Sequence, residues 1–323
     1  MQSIRTDLAL EIHEFLCENA EEISGIVSND KSDSDIKITD IKIETEEASK
    51  RAGKPVGNYI TVETPDLRFI DSSLYEKICK KISVEIKDLI DKKSDKPVLV
   101  VGLGNRAIAS DSLGPEVIDR LMITRHLFSY APQSLTENLG SVCAIAPGVL
   151  GITGIETQEI VNGVCEHIKP SLVICIDALC ARSIDRICKT IQICNTGISP
   201  GGGVGNKRSE ISKNTLGVPV LAVGVPTVVD AATITDDTLN LVIDSILKKA
   251  DTNTPFFKSL KAMDENERYA LIKSSVLEFL PDFMTTPKEI DILIKKCAEV
   301  LANGINFALH KDITFSDIEV YVS

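Results

Sequence analysis

The sequence is poor in the residues from which several common kinds of site are built. It contains no tryptophan, and aromatic residues make up only 4% of its 323 residues. None of its nine cysteines forms a Cys-x-x-Cys pair, so a structural zinc site is not expected. Histidine is scarce as well, and the four histidines do not have a spacing typical of metal ligands; they are His13, His126, His167 and His310. The composition therefore gives no indication of a bound metal.

Long apolar runs and an excess of positive charge are also missing. No apolar stretch reaches the ~18 residues of a membrane-spanning helix, and the opening MQSIRTD is too short and too polar for a targeting segment. The formal net charge of −12 argues against direct binding to nucleic acid or to anionic membranes. Most cysteines lie inside apolar strand-like runs such as Val173–Ile176, as buried thiols of a reducing compartment do. We therefore expect a cytoplasmic protein.

One stretch, Pro97–Pro115, has the pattern around which the rest of the chain is arranged. It opens with the apolar run Val98–Val101, which is typical of a strand buried on both faces. Gly102 and Gly104 then permit a tight turn at the carboxyl end of that strand. A polar loop that carries Asp111 follows, and a helix is predicted after it, because proline suits the first position of a helix.

From this stretch onward, predicted strands and helices alternate. Strands are predicted at 98–102, 142–146, 172–176, 187–193 and 218–223, and helices at 115–126, 154–168, 227–249, 265–279 and 287–309. Such alternation predicts an α/β fold with a mostly parallel sheet and helices on both faces. A small N-terminal strand pair at 36–43 and 58–63 and the C-terminal helices complete the expected fold, and the tail 312–322 is predicted to add an edge strand.

Two acidic residues stand where predicted strands end. Asp111 lies just beyond one strand, and Asp177 lies at the tip of another. In an open α/β sheet, ligands bind outside the carboxyl ends of the strands, and parallel strands bring these ends to one edge. Asp111 and Asp177 are therefore predicted to share a cleft. There, one carboxylate can take a proton from water while the other, protonated, polarises the carbonyl of a scissile bond.

Structural roles explain the same residues equally well from pattern alone. Asp111 could cap the turn before the next helix, and Asp177 could be an ion-pair partner of Arg182. The glycines at 102–107 fit only the relaxed form of a dinucleotide-binding loop, and the helix that such a loop requires does not begin at once. No cofactor is therefore expected.

A second glycine-rich segment, Pro200–Gly205, contains three successive glycines. It lacks the Gly-Lys-Ser/Thr sequence of a phosphate-binding loop, and its glycine content better fits a flexible loop that admits substrate. The candidates for substrate contact in and beside this segment are Gly201, Gly202, Gly203, Lys207 and Arg208.

Long strings of the sequence carry a family resemblance. They are IRTDLALE (4–11), VGLGN and SDSLGP (101–115), LMITRHLF (121–128), APGVLGITGIET (146–157), IDALCARS (176–183), NTGISPGGGVGNKR (195–208), LGVPVLAVGVPTVVDA (216–231), TPKEID (286–291) and LANGINFALH (301–310). Together they cover nearly the whole chain, which resembles the germination protease family of spore-forming bacteria. The pattern is also similar to that of hydrogenase maturation endopeptidases, which share an α/β fold and bind a metal at the acidic edge of the sheet.

The resemblance implies an aspartic-type endopeptidase that degrades small acid-soluble spore proteins during germination. The two essential aspartates of the family fall on Asp111 and Asp177, and no metal or cofactor is implied. The resemblance further implies a homotetramer in the cytoplasm of the forespore or spore core. Because the substrate proteins coat DNA, an acidic protease would not compete with them for the DNA itself. A metal-dependent maturation endopeptidase and a non-catalytic ligand-binding module are the alternatives.

The resemblance also implies a zymogen that cuts itself. Residues 1–7 would form a propeptide and residues 8–323 a single peptidase domain, with the cut between Asp7 and Leu8. Substrates of the family carry an acidic residue, a hydrophobic residue and a small residue in succession, with glutamate close behind. Residues 7–11, DLALE, have this order.

Overall fold

A computed structural model of the chain describes residues 5–18, 24–33, 35–90, 96–132, 136–201, 209–249 and 283–322. Its strands are β1 (Ile26–Asp30), β2 (Lys37–Ile43), β3 (Gly57–Glu63), β4 (Val98–Gly102), β5 (Val142–Ile145), β6 (Leu172–Ala181), β7 (Thr190–Cys194), β8 (Val220–Asp230) and β9 (Met284–Thr285). Its helices are α1 (Ala9–Glu18), α2 (Glu46–Ala52), α3 (Ser72–Leu89), α4 (Leu113–Ile118), α5 (Leu127–Tyr130), α6 (Leu150–Thr153), α7 (Thr157–Ile168), α8 (Lys213–Leu216), α9 (Ala231–Lys249), α10 (Ile290–Leu309) and α11 (Phe315–Val322). The helix predicted at 265–279 lies outside the described residues.

The strands join in one mixed sheet in the order β1-β2-β3-β7-β8-β6-β4-β5, with β9 paired to β8. The neighbours β5, β4, β6 and β8 run parallel, whereas β1, β2, β3 and β7 join one another and β8 as antiparallel strands. Helices flank this sheet, with N-terminal strands at one side and helices at the C-terminus. The predicted α/β class is confirmed. Within the described ranges, no helix is both long and apolar enough to cross a membrane.

Strand β4 shows why both faces of the sheet are covered by helices. Val100 packs on one face with the cores of α3 and α10, while Leu99 and Val101 pack on the other face with Val161 of α7. All four side chains have 0% exposure. Because successive side chains of a strand point to opposite faces, an apolar run such as Val98–Val101 is stable only where both faces are buried.

Helices α3 and α10 form the layer that supports the loop after β4. The side chain of Asp71 accepts a hydrogen bond from the Leu74 backbone N–H at 2.8 Å and so caps α3 at its start. One turn apart, Ile78, Ile82 and Ile86 are fully buried, and each such side chain contributes about 2–3 kcal/mol through burial. Helix α10 packs against α3 and against the 3₁₀ turn Ala109–Asp111.

Strands β6 and β8 are longer than the pattern predicted. Their parallel pairing continues as far as Ala181 opposite Val229, with an irregularity between Leu179 and Cys180. Asp177 therefore lies within β6 and not at its tip. The prediction fixed the end of β6 at residue 176 from the end of the apolar run. Hydrogen bonds to β8 extend the strand beyond the end of this apolar run.

The prediction that all core strands end at one edge is wrong for β7. This strand runs antiparallel to β8, with Cys194 opposite Ala222 and Gln192 opposite Gly224. Its carboxyl end therefore lies at the edge where β8 begins. The segment after it returns towards the other edge, since Gly201 reaches the cavity described below. An apolar run has no intrinsic direction, which explains the error.

The tail is a helix and not the predicted edge strand. In α11, the ring of Phe315 packs against those of Tyr75 and Phe307, with centroids 5.8 Å and 4.8 Å apart. The sequence from Ile318 to Val322 alternates apolar with other residues, which favoured a strand. The packing of Phe315 against Tyr75 and Phe307 stabilises the helix instead.

Candidate active site

The turn after β4 positions Asp111. Gly104 has a φ of +105°, and a Cβ atom there would lie 2.1 Å from the carbonyl oxygen of Asp111. Only glycine fits such a position without strain. The backbone N–H of Asn105 donates to Asp111 Oδ2 at 2.8 Å, so the half-buried carboxylate and the glycine turn fix each other. The carboxylate of Asp111 therefore bonds to the turn that precedes it. The residue at the N-cap position of α4 is Ser112 and not Asp111.

Asp177 lies one residue beyond the last pair of the ladder between β4 and β6, where Gly102 stands opposite Ile176. It is 5% exposed, and its Oδ1 accepts a hydrogen bond from the backbone N–H of Ala178 at 3.0 Å. Arg182, the ion-pair partner suggested by the sequence, has its guanidinium 3.3 Å from the carboxylate of Asp237.

Asp111 and Asp177 line the same cavity, which has a volume of about 270 Å³. The prediction that these two aspartates share a cleft is therefore confirmed, while their catalytic roles stay a prediction. Gly201 and Asp7 line this cavity too, so a candidate substrate contact and the predicted cleavage position lie beside the two aspartates. The remaining loop candidates lie outside the described residues; they are Gly202, Gly203, Lys207 and Arg208.

The N-terminal segment is seated on the part of β6 that extends beyond β4. The backbone N–H of Asp7 donates to the Cys180 carbonyl at 2.8 Å, and the Cys180 N–H donates to Asp7 Oδ2 at 2.8 Å. The carbonyl oxygen of Asp7 accepts from Lys54 Nζ at 2.9 Å and from Gln192 Nε2 at 3.0 Å. Leu8 follows with 0% exposure. The Asp7–Leu8 peptide bond is thus held between the cavity and the core.

A buried carboxylate holds the same segment from its other side. Glu11 is 3% exposed and accepts from the backbone N–H groups of Arg182 at 2.7 Å and Ser183 at 2.9 Å. The Arg186 guanidinium lies 3.3 Å from the Glu11 carboxylate, and the Thr6 hydroxyl donates to it. Since these partners compensate the buried charge, the network fixes the position of residues 6–11.

Arg5 adds an ion pair beside the cavity. Its guanidinium lies 3.0 Å from Asp230 Oδ2, and the side chain of Asp230 is only 5% exposed. The other oxygen of Asp230 accepts from the Ala232 N–H at 2.8 Å. The carboxylate of Asp230 therefore joins the N-terminal segment to the end of β8.

Cys180 is the thiol that lines the cavity. Burial raises the pKa of this thiol to about 12, and the nearby carboxylates of Asp7 and Asp230 act in the same direction. The thiol is therefore protonated at neutral pH. Because the thiolate is the nucleophilic form, Cys180 is a poor candidate for a catalytic nucleophile.

Some residues of the site escaped the reasoning from sequence. Thr227 lines the cavity, and its hydroxyl donates to the carbonyl of Ser110 at 2.7 Å, which ties β8 to the loop of Asp111. Lys54 and Gln192 contact the N-terminal segment as described above. The only local signal was the amide of Gln192 between two isoleucines of a buried strand, which indicates a buried hydrogen bond.

Comparison with known proteins assigns the family. A family model described as germination protease matches residues 5–262 and 244–322. The chain belongs to the germination protease family. It is 45% identical to the germination protease of Clostridium perfringens (strain SM101), over 100% of both chains. It is 48% identical to that of Caldanaerobacter subterraneus subsp. tengcongensis, over 96% of this chain and 95% of the relative. With that of Bacillus cereus (strain AH187) the identity is 40%, over 99% and 97%. The family resemblance is thereby confirmed, and with it a protease of spore germination.

Proposed function

We propose that the chain is a self-activating, aspartic-type endopeptidase that degrades small acid-soluble spore proteins during germination. One observation supports this most: Asp7, Asp111 and Asp177 line a single cavity. The first belongs to the predicted self-cleavage site, and the other two are the predicted catalytic pair. The forespore or spore core as the location and the homotetramer are part of the same proposal, and they rest on the family resemblance.

In the proposed reaction, Asp111 and Asp177 divide the work. One carboxylate takes a proton from water as the water oxygen adds to the carbonyl carbon of the scissile bond. The other, protonated, polarises the carbonyl and supplies a proton as the bond to nitrogen breaks. The products are a new carboxylate and a new amine. Backbone donors from Asn105 and Ala178 hold both carboxylates in place, which is the preorganisation that such chemistry requires.

The proposal divides the chain into a propeptide, 1–7, and a peptidase domain, 8–323. Leu8 packs in the main core with Ile36 and Ile38, so a chain that begins at Leu8 keeps its first side chain buried. Arg5 and Asp7, in contrast, are held by polar contacts beside the cavity. Release of residues 1–7 would expose the backbone groups of Cys180 and open the cavity to a substrate.

The test is replacement of each aspartate by its amide. Asp111→Asn and Asp177→Asn should each lower the rate of cleavage of a small acid-soluble spore protein by about 100-fold or more, because an amide cannot take up the proton. Asp185→Asn serves as the control, since Asp185 is an exposed acid of the nearby turn Ile184–Arg186. Near-normal cleavage by either cavity variant would remove that residue from the mechanism.

The alternative is a metal-dependent endopeptidase of the hydrogenase-processing type. Within the described residues, no group of three or more histidine, cysteine, aspartate or glutamate side chains is placed to hold a metal ion. Metal analysis of the purified protein distinguishes the two functions, together with cleavage assays in the presence of a chelator. Stoichiometric metal, and activity that disappears with the chelator and returns with the metal, would favour the alternative.

A further inference from the structure

The carbonyl oxygen of Asp7 is held by two side-chain donors. Lys54 Nζ lies 2.9 Å from this oxygen, and Gln192 Nε2 lies 3.0 Å from it. A carbonyl oxygen has two lone pairs, so it can accept from both donors at once. In the proposed function this oxygen belongs to the scissile bond between Asp7 and Leu8.

Lys54 is placed by the end of helix α2. The helix terminates at Gly53 in the left-handed region, with a φ of +64°, as is common for a helix C-terminus. The backbone N–H of Lys54 then bonds to the Ser49 carbonyl at 3.2 Å. This termination turns the chain so that the Lys54 ammonium reaches the N-terminal segment. An ammonium in such a contact forms a charge-assisted hydrogen bond, which strengthens as the acceptor gains negative charge.

Gln192 holds the peptide on both sides of Leu8. While its Nε2 donates to the carbonyl of Asp7, its Oε1 accepts from the backbone N–H of Ala9 at 2.7 Å. Gln192 is 7% exposed and lies on β7. A buried amide with both ends bonded has little freedom to rotate, so its donor is fixed before any reaction begins.

We infer that Lys54 and Gln192 form the oxyanion site for cleavage of the Asp7–Leu8 bond. This inference rests on the proposed self-activation. The oxygen of water bonds to the Asp7 carbonyl carbon, one cavity aspartate takes the proton of that water, and the carbonyl oxygen becomes negative between Lys54 and Gln192. When the carbon–nitrogen bond breaks, the second aspartate gives its proton to the Leu8 nitrogen. In self-cleavage, therefore, the protonated aspartate acts as the proton donor to the leaving amine. It is not needed at the carbonyl oxygen, because Lys54 and Gln192 already donate to that oxygen.

The experiment measures release of residues 1–7 from the purified full-length chain over time by mass spectrometry. Lys54→Met removes the ammonium but keeps the apolar stem. Gln192→Glu keeps an oxygen for the Ala9 N–H and replaces the donor to Asp7. Loss of one oxyanion donor typically slows a reaction by about 100- to 1,000-fold, and we expect each variant to slow release by about 100-fold. Lys50→Met is the matched control, because Lys50 is an exposed lysine of α2, the helix before Lys54, and this variant should cleave at the wild-type rate.

A second measurement distinguishes polarisation of the Asp7 carbonyl from simple anchoring of the N-terminal segment by Lys54 and Gln192. In an Asp111→Asn background, which keeps the chain uncut, hydrogen exchange of the Asp7 amide reports whether it still bonds to the Cys180 carbonyl. The inference requires slow cleavage with unchanged protection in Gln192→Glu. Protection lost in parallel with the rate would overturn it, because Lys54 and Gln192 would then only anchor the segment.

The remaining outcomes are also decisive. Near-normal release of residues 1–7 by both Lys54→Met and Gln192→Glu would overturn the oxyanion site while leaving the proposed self-activation intact. A wild-type chain that stays uncut would overturn the self-activation itself and the inference with it.

Discussion

Main-chain N–H groups hold the acidic side chains of this site. Asn105 donates to Asp111, Ala178 to Asp177 and Cys180 to Asp7, at distances of 2.8, 3.0 and 2.8 Å. Such contacts depend on the conformation of the backbone and not on the identity of the neighbouring side chains. The local backbone conformation is therefore the property to which the site should be most sensitive.

Gly104→Ala tests this sensitivity. The added Cβ would lie 2.1 Å from the Asp111 carbonyl oxygen at a φ of +105°, so the turn must move and carry Asp111 with it. We expect the free energy of unfolding to fall by about 2 kcal/mol or more and cleavage of a spore protein to fall with it, as measured by urea unfolding and a peptidase assay. Gly151→Ala is the control, because nothing lies within 4 Å of its Cβ position. Equal behaviour of the two variants would mean that the turn does not position Asp111.

Sequence reasoning placed Asp111 and Asp177 in one cleft because the apolar run before each of them is readable from local patterns, although β6 continues past Asp177. It did not find Lys54 and Gln192, whose contacts with Asp7 bridge 47 and 185 positions of the chain. No local pattern encodes such a pairing. Gln192 shows how far local pattern leads: a polar residue between apolar neighbours in a buried strand predicts a hydrogen bond but not its partner.

At the scale of elements, the decisive feature is the difference in length between β4 and β6. Strand β4 stops at Gly102, opposite Ile176, while β6 continues to Ala181. The free side of β6 beyond that point receives the backbone of Asp7 at Cys180. The pattern predicted where the strands are but not this offset, since the offset depends on pairing with β8.

Arg5→Gln tests how the segment is kept on β6. The substitution leaves Asp230, with a side chain only 5% exposed, without its ion pair to Arg5. Because breaking a buried ion pair is costly, we expect hydrogen exchange of the Asp7 amide to accelerate by about tenfold and release of residues 1–7 to slow. Lys80→Gln, which breaks an exposed pair with Glu76, should change neither quantity. Unchanged exchange in Arg5→Gln would show that the backbone contacts suffice.

At the scale of the whole molecule, the alternation of strands and helices was enough to predict the α/β class. It was not enough to predict the direction of β7 or the helical tail. Apolar residues report burial, and β7 is buried on both faces like the parallel strand β6 although it runs antiparallel to β8. The direction of β7 and the conformation of the tail are determined by contacts between distant parts of the chain, such as β3 with β7 and Phe315 with Tyr75.

The stability of the molecule should depend on pH through His310. Burial lowers the pKa of this imidazole to about 4, and its Nδ1 accepts from the Gly140 N–H at 3.1 Å. The unfolded chain binds the proton near pH 6.5 and the folded chain only near pH 4, so the free energy of unfolding should fall as the pH is lowered through this window. The loss reaches about 3 kcal/mol at its acidic end.

Urea unfolding between about pH 7 and pH 4.5 measures this dependence. His310→Gln should be less sensitive to acid than the wild type across this range, because it has no imidazole to protonate. His126→Gln is the matched control, since His126 is exposed, and it should follow the wild-type curve. Parallel curves for all three proteins would refute the role of His310.

The contacts of the N-terminal segment with β6 and β8 also determine when during translation this segment can bind in its place. Asp7 pairs with Cys180, 173 positions later, and Arg5 pairs with Asp230, 225 positions later. Residues 5–7 must therefore wait for strands that are synthesised much later, because contacts of such sequence separation form only after the intervening chain is present. Before β6 and β8 have been synthesised, these contacts cannot form. In the proposed self-activation, the Asp7–Leu8 bond is consequently cut only after these strands are in place, and a translation product truncated before β6 would stay uncut.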